Sequence, residues 1–363
     1  MNSPRVAAVA ALSSMILVSA CSDSEPQTTS DEGSTTASVD SDAATDPSDD
    51  VASTAGPDDD AESTEQAQSA GVMSVEEAEA VATQLLTSAE AVLEKDGDAI
   101  KDELEATYRG PALEAAIAAD LLEPVTGNPE SRDLIADPIE PNVLAISRDD
   151  GQEPNVLLVQ TVPDTGNPIL YLMTSPSGTD KFRITWSAPM LPGTDIGTFD
   201  RRSLGSPIVR DDTQASDLSQ TPRTVLEEFA AYINYPVEAR PEMRTNDYAP
   251  QVRRAAAAQI EEVERQADFT ETNSLSDTRI RTLLREDGSA ITFALLDRES
   301  TFDIKSGMEL TPPKPFLVFA DDDSLTDSAT LDTHVFVAVM IPKGSGPPEM
   351  IAAREQIVGA SGS

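Results

Sequence analysis

Two stretches of the chain repeat one order of predicted elements, helices followed by four short strands. The first covers residues 74–192 and the second covers residues 221–343. An Arg-acidic-Asp-Gly turn stands between the first two strands of each stretch, at Arg148–Gly151 and at Arg285–Gly288. Such internal similarity indicates two related units. We therefore predict an α+β protein with two tandem domains, each packing helices on one face of a curved four-stranded antiparallel sheet.

The first stretch begins with a capping box, in which Ser74 is followed three residues later by Glu77. Apolar residues at helical spacing then predict three helices. Four strands are predicted at 143–146, 156–161, 169–174 and 181–188. In the last of these, Phe182, Ile184 and Trp186 alternate with polar residues, so we expect these three side chains to share one face of the sheet.

The second stretch opens with an N-cap threonine and a first-turn proline at 221–222. A second helix is predicted at 250–267. Four strands follow, at 279–285, 290–296 with a possible extension to 304, 316–319 and 333–341. Residues 193–220 are predicted to link the two domains. Residues 344–363 are predicted to form a tail with a short helix at 347–358.

Helices that precede a four-stranded antiparallel sheet resemble the cone-shaped NTF2-like, or cystatin-like, fold. The resemblance rests on element order alone. It implies a concave sheet face, and a concave face commonly holds a small apolar ligand or a peptide. Six side chains are candidates for such a ligand-binding face: Phe182, Ile184, Trp186, His334, Phe336 and Met340. The alternative is that they fill the core.

The N-terminus is typical of a secretory signal peptide at residues 1–20. Arg5 precedes an apolar run at 6–18, which is too short to cross a ~30 Å hydrocarbon core as a helix. Leu17–Ala20 then leads directly into Cys21, the only cysteine. This resembles the bacterial lipobox, which implies a lipid on Cys21 and attachment to the extracytoplasmic face of the cell membrane. The alternative is an ordinary signal peptide beside a chance cysteine.

Residues 21–73 are predicted to form a disordered acidic tether. Between residues 22 and 70 there are fourteen Asp or Glu, and neither Lys, Arg nor an aromatic residue. Such a segment cannot bury enough apolar area to offset its ordering entropy, and its like charges extend it. It would hold the folded part away from the membrane. Calcium binding by Asp58–Asp60 and O-linked sugar on its Ser and Thr are less favoured alternatives.

The composition excludes several classes of function. A formal net charge of −40 disfavours contact with nucleic-acid phosphates. One histidine and one cysteine cannot form a Cys/His zinc set or a disulfide within the chain. The Gly-x-Ser-x-Gly elbow of serine hydrolases does not occur. We expect no cofactor, no metal and no nucleic-acid partner.

Five local stretches are shared with a known family: Gly110–Leu113, Ala188–Gly193, Ser206–Asp212, Phe229–Tyr232 and Ile291–Pro312. Together with the lipobox and the acidic tether, they resemble actinobacterial surface lipoproteins built around a domain of unknown function. The resemblance spans most of residues 74–358. It implies an envelope location and the extent of the folded part, and it carries no activity and no functional residue.

The sequence favours a non-enzymatic, membrane-anchored envelope protein that binds a partner protein or a small ligand at the cell surface. The single histidine, His334, lies in a predicted strand, where a structural role is more common than general-base catalysis. One alternative is a carrier or sensor of a lipid or another apolar metabolite. A less favoured alternative is an enzyme that uses carboxylates alone, which needs a buried Asp or Glu facing a cavity.

Overall fold

The computed structural model describes residues 70–92, 99–127 and 139–363, apart from 152, 165, 178, 179, 215, 216, 238, 277 and 278. The predicted signal peptide, Cys21 and all but the end of the predicted tether lie outside the described residues. The described residues belong to one compact unit. None of the helices described in this unit is long and apolar enough to cross a membrane.

Three helices precede the first sheet: α1 Val75–Val92, α2 Ala99–Thr107 and α3 Pro111–Thr126. The predicted capping box is confirmed, because the backbone N–H of Ser74 donates to Glu77 and that of Glu77 donates to the Ser74 hydroxyl, at 3.0 and 3.2 Å. α3 starts after Gly110, whose φ of 60° lies in the left-handed region that favours glycine. Pro111 then occupies the first helical position, where its missing N–H costs nothing.

The first sheet is an antiparallel meander of four strands: β1 Asn142–Ile146, β2 Asn155–Thr161, β3 Ile169–Ser175 and β4 Arg183–Pro189. The four predicted strands are therefore confirmed. Each edge is bridged by another part of the chain. The carbonyl of Ile146 accepts the N–H of Ser206 at 2.7 Å, and the carbonyl of Ile184 accepts the N–H of Arg109 at 3.0 Å. Edges bridged in this way offer less of a template for pairing with another chain.

A β-bulge in β4 changes the face on which its side chains lie. Leu172 pairs with Trp186 and Met173 pairs with Ile184, so Thr185 is an extra residue opposite no partner. Ile184 therefore packs on the side of α1 and Trp186 packs on the opposite side. The prediction that these two residues share a face is wrong, because clean alternation in sequence does not reveal an inserted residue.

The second sheet is larger than predicted. Two helices precede most of it: α4 Pro222–Ile233 and α5 Tyr248–Val263. Its strands are β5 Ile208–Val209, β6 Ala267–Leu275, β7 Arg281–Leu284, β8 Ala290–Ile304, β9 Ser328–Ile341 and β10 Glu349–Gly362. The order is β10-β9-β8-β7-β5, all antiparallel, and β6 pairs with the second half of β8.

Two predicted elements of this half are wrong, and one strand was not predicted. Residues 316–319 form a 3-10 turn at Phe316–Val318 instead of a strand, because Pro315 precedes it and the N–H of Phe316 closes a turn onto the carbonyl of Pro313. Residues 349–358 of this predicted helix lie in strand β10 instead, since pairing along β9 overrides the local sequence pattern. Strand β6 was not predicted, and the helix predicted before it ends at residue 267, where this strand begins.

The two sheets pack on each other through a shared apolar core. It joins one face of the first sheet to the β7 end of the second and includes Trp186, Phe293 and Phe336. The Trp186 and Phe293 rings meet edge to face at 5.0 Å. The outer face of the first sheet is covered by α1, and the helix-facing side of the second sheet by α4 and α5. Neither sheet is curled, so the predicted curvature is not observed.

Candidate functional site

The structure separates the six side chains predicted to line a ligand-binding face. Trp186, Phe336 and Met340 meet in the shared core between the sheets, where Trp186 is 4 % exposed and Phe336 is fully buried. The Trp186 indole N–H donates to the carbonyl of Ala294 in β8 at 3.1 Å, so its one polar group is satisfied. Three of the six candidates therefore come together, as a packed cluster.

The other candidates lie elsewhere. Ile184 is fully buried under α1, and Phe182 packs half-buried beside it. His334 lies on β9 at the rim of the shared core, with its ring edge-on to Phe336 at 6.2 Å between centroids. Its two ring nitrogens contact two carboxylates from different elements, Glu114 on α3 and Asp297 on β8.

A buried ionic cluster is the most unusual arrangement in the described chain, and it centres on Arg298. This side chain points from β8 toward α5 and is 8 % exposed. Its guanidinium donates to both carboxylate oxygens of Glu355 on β10, at 2.8 and 3.0 Å. Two parallel bonds of this kind are the strongest form of arginine–carboxylate contact. The Tyr248 hydroxyl of α5 donates to the same carboxylate.

Strand β6 completes the cluster with a second carboxylate and an amide. Glu271 Oε1 lies 3.7 Å from Arg298 Nε, and Glu271 Oε2 accepts the Ser300 hydroxyl at 3.0 Å. Arg298 Nε also donates to the side-chain oxygen of Asn273 at 3.0 Å. Asn234, which follows α4, accepts the backbone N–H of Asn273 at 2.7 Å. Oε1 of Glu271 accepts no hydrogen bond from the described residues.

Burial and neighbouring charges together set the pKa values of these groups. It raises the pKa of Glu271, although the nearby Arg298 works in the opposite direction. It also raises the pKa of Tyr248 well above its ordinary value, with a further contribution from Glu355. Burial alone would lower the pKa of Arg298, but the carboxylates of Glu355 and Glu271 outweigh it and raise that pKa. Arg298 and Tyr248 therefore keep their protons, and the protonated form of Glu271 is more favoured than it is in water.

The cluster divides two apolar regions under the helices. On one side lie Leu296, Val335 and the inner face of α4, and on the other lie Phe269 and Phe302. This cluster was not predicted from the sequence. A signal was present in β8, where Leu296, Arg298, Ser300 and Phe302 occupy successive inward positions. A cation inside such a period-two apolar stripe requires a buried partner.

The opposite face of the same sheet is open over its far half. Pairing across β6, β8, β9 and β10 aligns outward side chains in transverse rows. One row consists of hydroxyls: Thr270, Thr301, Thr330 and Ser361. The next consists of Thr272, Glu299, Asp332 and Gly359. We call this surface the open face. All of these residues are exposed or half-exposed.

Within the described residues, no group of three or more His, Cys, Asp or Glu side chains is arranged to hold a metal ion. What the clusters can do chemically is to hold charge and exchange protons. Comparison of the chain with protein-family models, curated proteins and solved structures gave no match.

Proposed function

We propose that the protein is a lipid-anchored envelope protein that acts by binding a partner at the extracytoplasmic face of the cell membrane. One observation carries this proposal. The only cysteine of the chain, Cys21, directly follows Leu17–Ala20 and the apolar run at 6–18. A lipid on Cys21 would attach the chain to the membrane, and the acidic segment at 21–73 would hold the folded unit away from it.

Replacement of Cys21 tests the anchor. Wild-type protein should partition with membranes and take up a labelled fatty acid, whereas Cys21→Ala should do neither. Ser22→Ala is the matched control, because it changes the neighbouring residue and leaves the cysteine in place. The anchor proposal fails if Cys21→Ala protein remains in the membrane fraction or takes up the label.

The open face supports partner binding as the activity. Four strands about 4.8 Å apart and seven residues long cover on the order of 400 Å², roughly half of what one partner buries in a standard interface. Asp297, Glu299 and Asp332 make this surface acidic. A transient contact with a cationic protein surface fits its size and charge, while a second copy of the same face would be repelled.

Cross-linking on intact cells tests this activity. A photoreactive residue at Thr301, in the centre of the open face, should give a defined adduct band. The same residue at Glu90, an exposed position of α1, is the control. An adduct from Glu90 alone would show that the partner binds elsewhere. Reversal of one charge by Glu299→Lys should weaken the Thr301 adduct.

A carrier of a lipid or another apolar metabolite is the second candidate. It draws on Trp186, Phe336 and Met340, which form an apolar cluster between the sheets. Close contact of Trp186 with Phe293, and its bond to Ala294, favour partner binding over this alternative. Native mass spectrometry of the whole protein distinguishes the two, since a carrier retains a reproducible small adduct that shifts Trp186 fluorescence when it is removed.

One specific observation favours the third alternative, an enzyme that uses carboxylates alone. Glu271 is a buried carboxylate with a raised pKa, which is one part of what such an enzyme requires, the other being a cavity that the carboxylate faces. Its contacts with Ser300 and Arg298 are equally suited to a structural role.

We also propose that the protein is related to NTF2-like folds and to actinobacterial surface lipoproteins. The order of helices before the sheet in the first half and the shared stretches of sequence support this relation.

A further inference from the structure

We infer that His334 is a proton-operated clamp that fastens helix α3 to the second sheet. Its Nε2 lies 2.9 Å from Oε2 of Glu114 on α3, and its Nδ1 lies 3.0 Å from Oδ1 of Asp297 on β8. A neutral imidazole carries one N–H, whereas the imidazolium carries two. Because carboxylate oxygens only accept, the ring donates to both partners only when it is protonated.

α3 fully buries less apolar side-chain surface than α4, although its half-buried Leu113 and Ile117 also pack beside α2. The residues that it buries are small apart from one leucine: Pro111, Ala112, Ala115, Ala118, Ala119 and Leu122. The hydrophobic contribution grows with the apolar area removed from water, and an alanine side chain removes little. By contrast, α4 buries Leu226, Phe229 and Ile233. A polar contact therefore provides a larger share of the attachment of α3 than it would for α4.

The surroundings of the ring favour a cation. The charged groups next to His334 on this face are Glu114 of α3, Asp297 and Glu299 of β8, Asp332 of β9 and Arg354 of β10. Arg354 is directed at the Phe336 ring, with 5.6 Å between the guanidinium carbon and the ring centroid. On β10 the residue paired with His334 is the neutral Gln356. Carboxylates thus outnumber cations around the imidazole.

The sign of the pH dependence follows from these contacts. Burial would lower the pKa of His334, but Asp297 and Glu114 outweigh it and raise that pKa above the usual 6.5. A group whose pKa is raised by folding contributes its stability fully at pH values below its unfolded pKa. That contribution is lost as the pH rises through the folded pKa. The clamp is therefore closed in acid and opens as the pH rises.

Opening of the clamp would loosen a helix that contacts both sheets. α3 packs against β4 of the first sheet and against β10, the edge strand of the second. Its Ala115 belongs to the shared core. The clamp thus couples the pH to the attachment of α3 to both sheets, and it operates whether or not the chain carries a lipid.

His334 is the only histidine of the chain, so its titration can be followed without ambiguity. In full-length protein with ¹⁵N-labelled histidine, NMR from about pH 5 to about pH 9 should show both ring nitrogens protonated at the acid end. The midpoint should lie above 6.5 in wild type and should fall in Glu114→Gln. The control Glu90→Gln removes an exposed glutamate from α1 and should leave the midpoint unchanged. A wild-type midpoint at or below 6.5 overturns the clamp.

Hydrogen exchange links the titration to α3. After correction for intrinsic exchange, protection of α3 amides in wild type should fall roughly three- to fivefold as the pH rises through the midpoint. The same amides in His334→Gln and Glu114→Gln should show no such step. An equal step in wild type and in both variants would mean that His334 does not hold the helix.

Discussion

Two sites in the second half of the molecule have the same arrangement, one cation between two carboxylates from different elements. Arg298 lies between Glu271 and Glu355, and His334 lies between Glu114 and Asp297. They differ in their access to water. Glu271 is 8 % exposed and Glu355 is 18 % exposed, whereas Glu114 and Asp297 are about half exposed at 55 and 51 %.

This difference decides what each site can do. At Arg298 the cation is permanent and the surroundings are dry, so loss of one member leaves a buried charge without its partner. At His334 the cation can lose its proton, and water can solvate the two carboxylates that remain. Loss of one member of the first site destabilises the fold, and the second site can respond to pH with a smaller change in stability. The predictions below test this contrast.

The largest effect is expected from Arg298→Leu. The change leaves Glu271 and Glu355 buried without their counter-ion, so the free energy of unfolding should fall by about 3–5 kcal/mol. Urea unfolding followed by the fluorescence of the single tryptophan, Trp186, measures it. Arg202→Leu is the control, since Arg202 pairs with the half-exposed Glu79 and should cost below about 1 kcal/mol. Equal losses in the two variants would contradict the contrast.

Tyr248→Phe should have the next largest effect. It removes the hydroxyl that donates to Glu355 while keeping the ring, so the free energy of unfolding should fall by about 1.5–3 kcal/mol. The matched control is Tyr232→Phe, where the ring contact with Arg253 remains. Urea unfolding of both variants measures the loss. If Tyr232→Phe lowers the free energy of unfolding as much as Tyr248→Phe does, the hydrogen bond from Tyr248 to Glu355 is not the cause.

His334→Gln should have a smaller effect that depends on pH. In acid, the free energy of unfolding of wild type should exceed that of the variant by no more than about 1 kcal/mol, because both partner carboxylates are half exposed. The difference should vanish as the pH rises through the raised pKa of His334. Urea unfolding at several pH values measures it. A difference that grows with pH would mean that the sign is wrong.

The two sites also show what the sequence can and cannot reveal. The helices and strands of the first half follow from local periodicity and capping, as at Ser74 and Glu77. The contacts of Arg298 and His334 do not, because their partners lie far away in sequence, Glu355 being 57 residues from Arg298 and Glu114 being 220 residues from His334. Only pairing of β10 with β9 brings Glu355 close, and β10 was predicted as a helix.

The face of a strand residue is equally hard to read when a bulge is present. Thr185 moves Trp186 to the side opposite Ile184, and nothing in the local alternation of β4 signals it. Strand β6 could have been recognised, because Ala267, Phe269 and Leu275 keep an inward period of two. Its inward Glu271 would then have pointed to a buried cation.

The smallest effect is expected from Glu271→Gln, and it separates the two carboxylates around Arg298. Glu271 is 3.7 Å from the guanidinium, whereas Glu355 is held by two short bonds. Glutamine can still accept the Ser300 hydroxyl, so the free energy of unfolding should change by less than about 1 kcal/mol. Glu355→Gln, the matched change, breaks the fork and should cost about 3 kcal/mol.

The pH dependence sharpens this last prediction. Folding raises the pKa of Glu271, so its contribution to stability is full below its ordinary value and is lost as the pH rises through the folded pKa. The Glu271→Gln variant has no such loss, so its free energy of unfolding should rise relative to that of wild type between acid and neutral pH. Parallel urea midpoints for the two proteins across that range would mean that Glu271 is ionised as easily in the fold as in water.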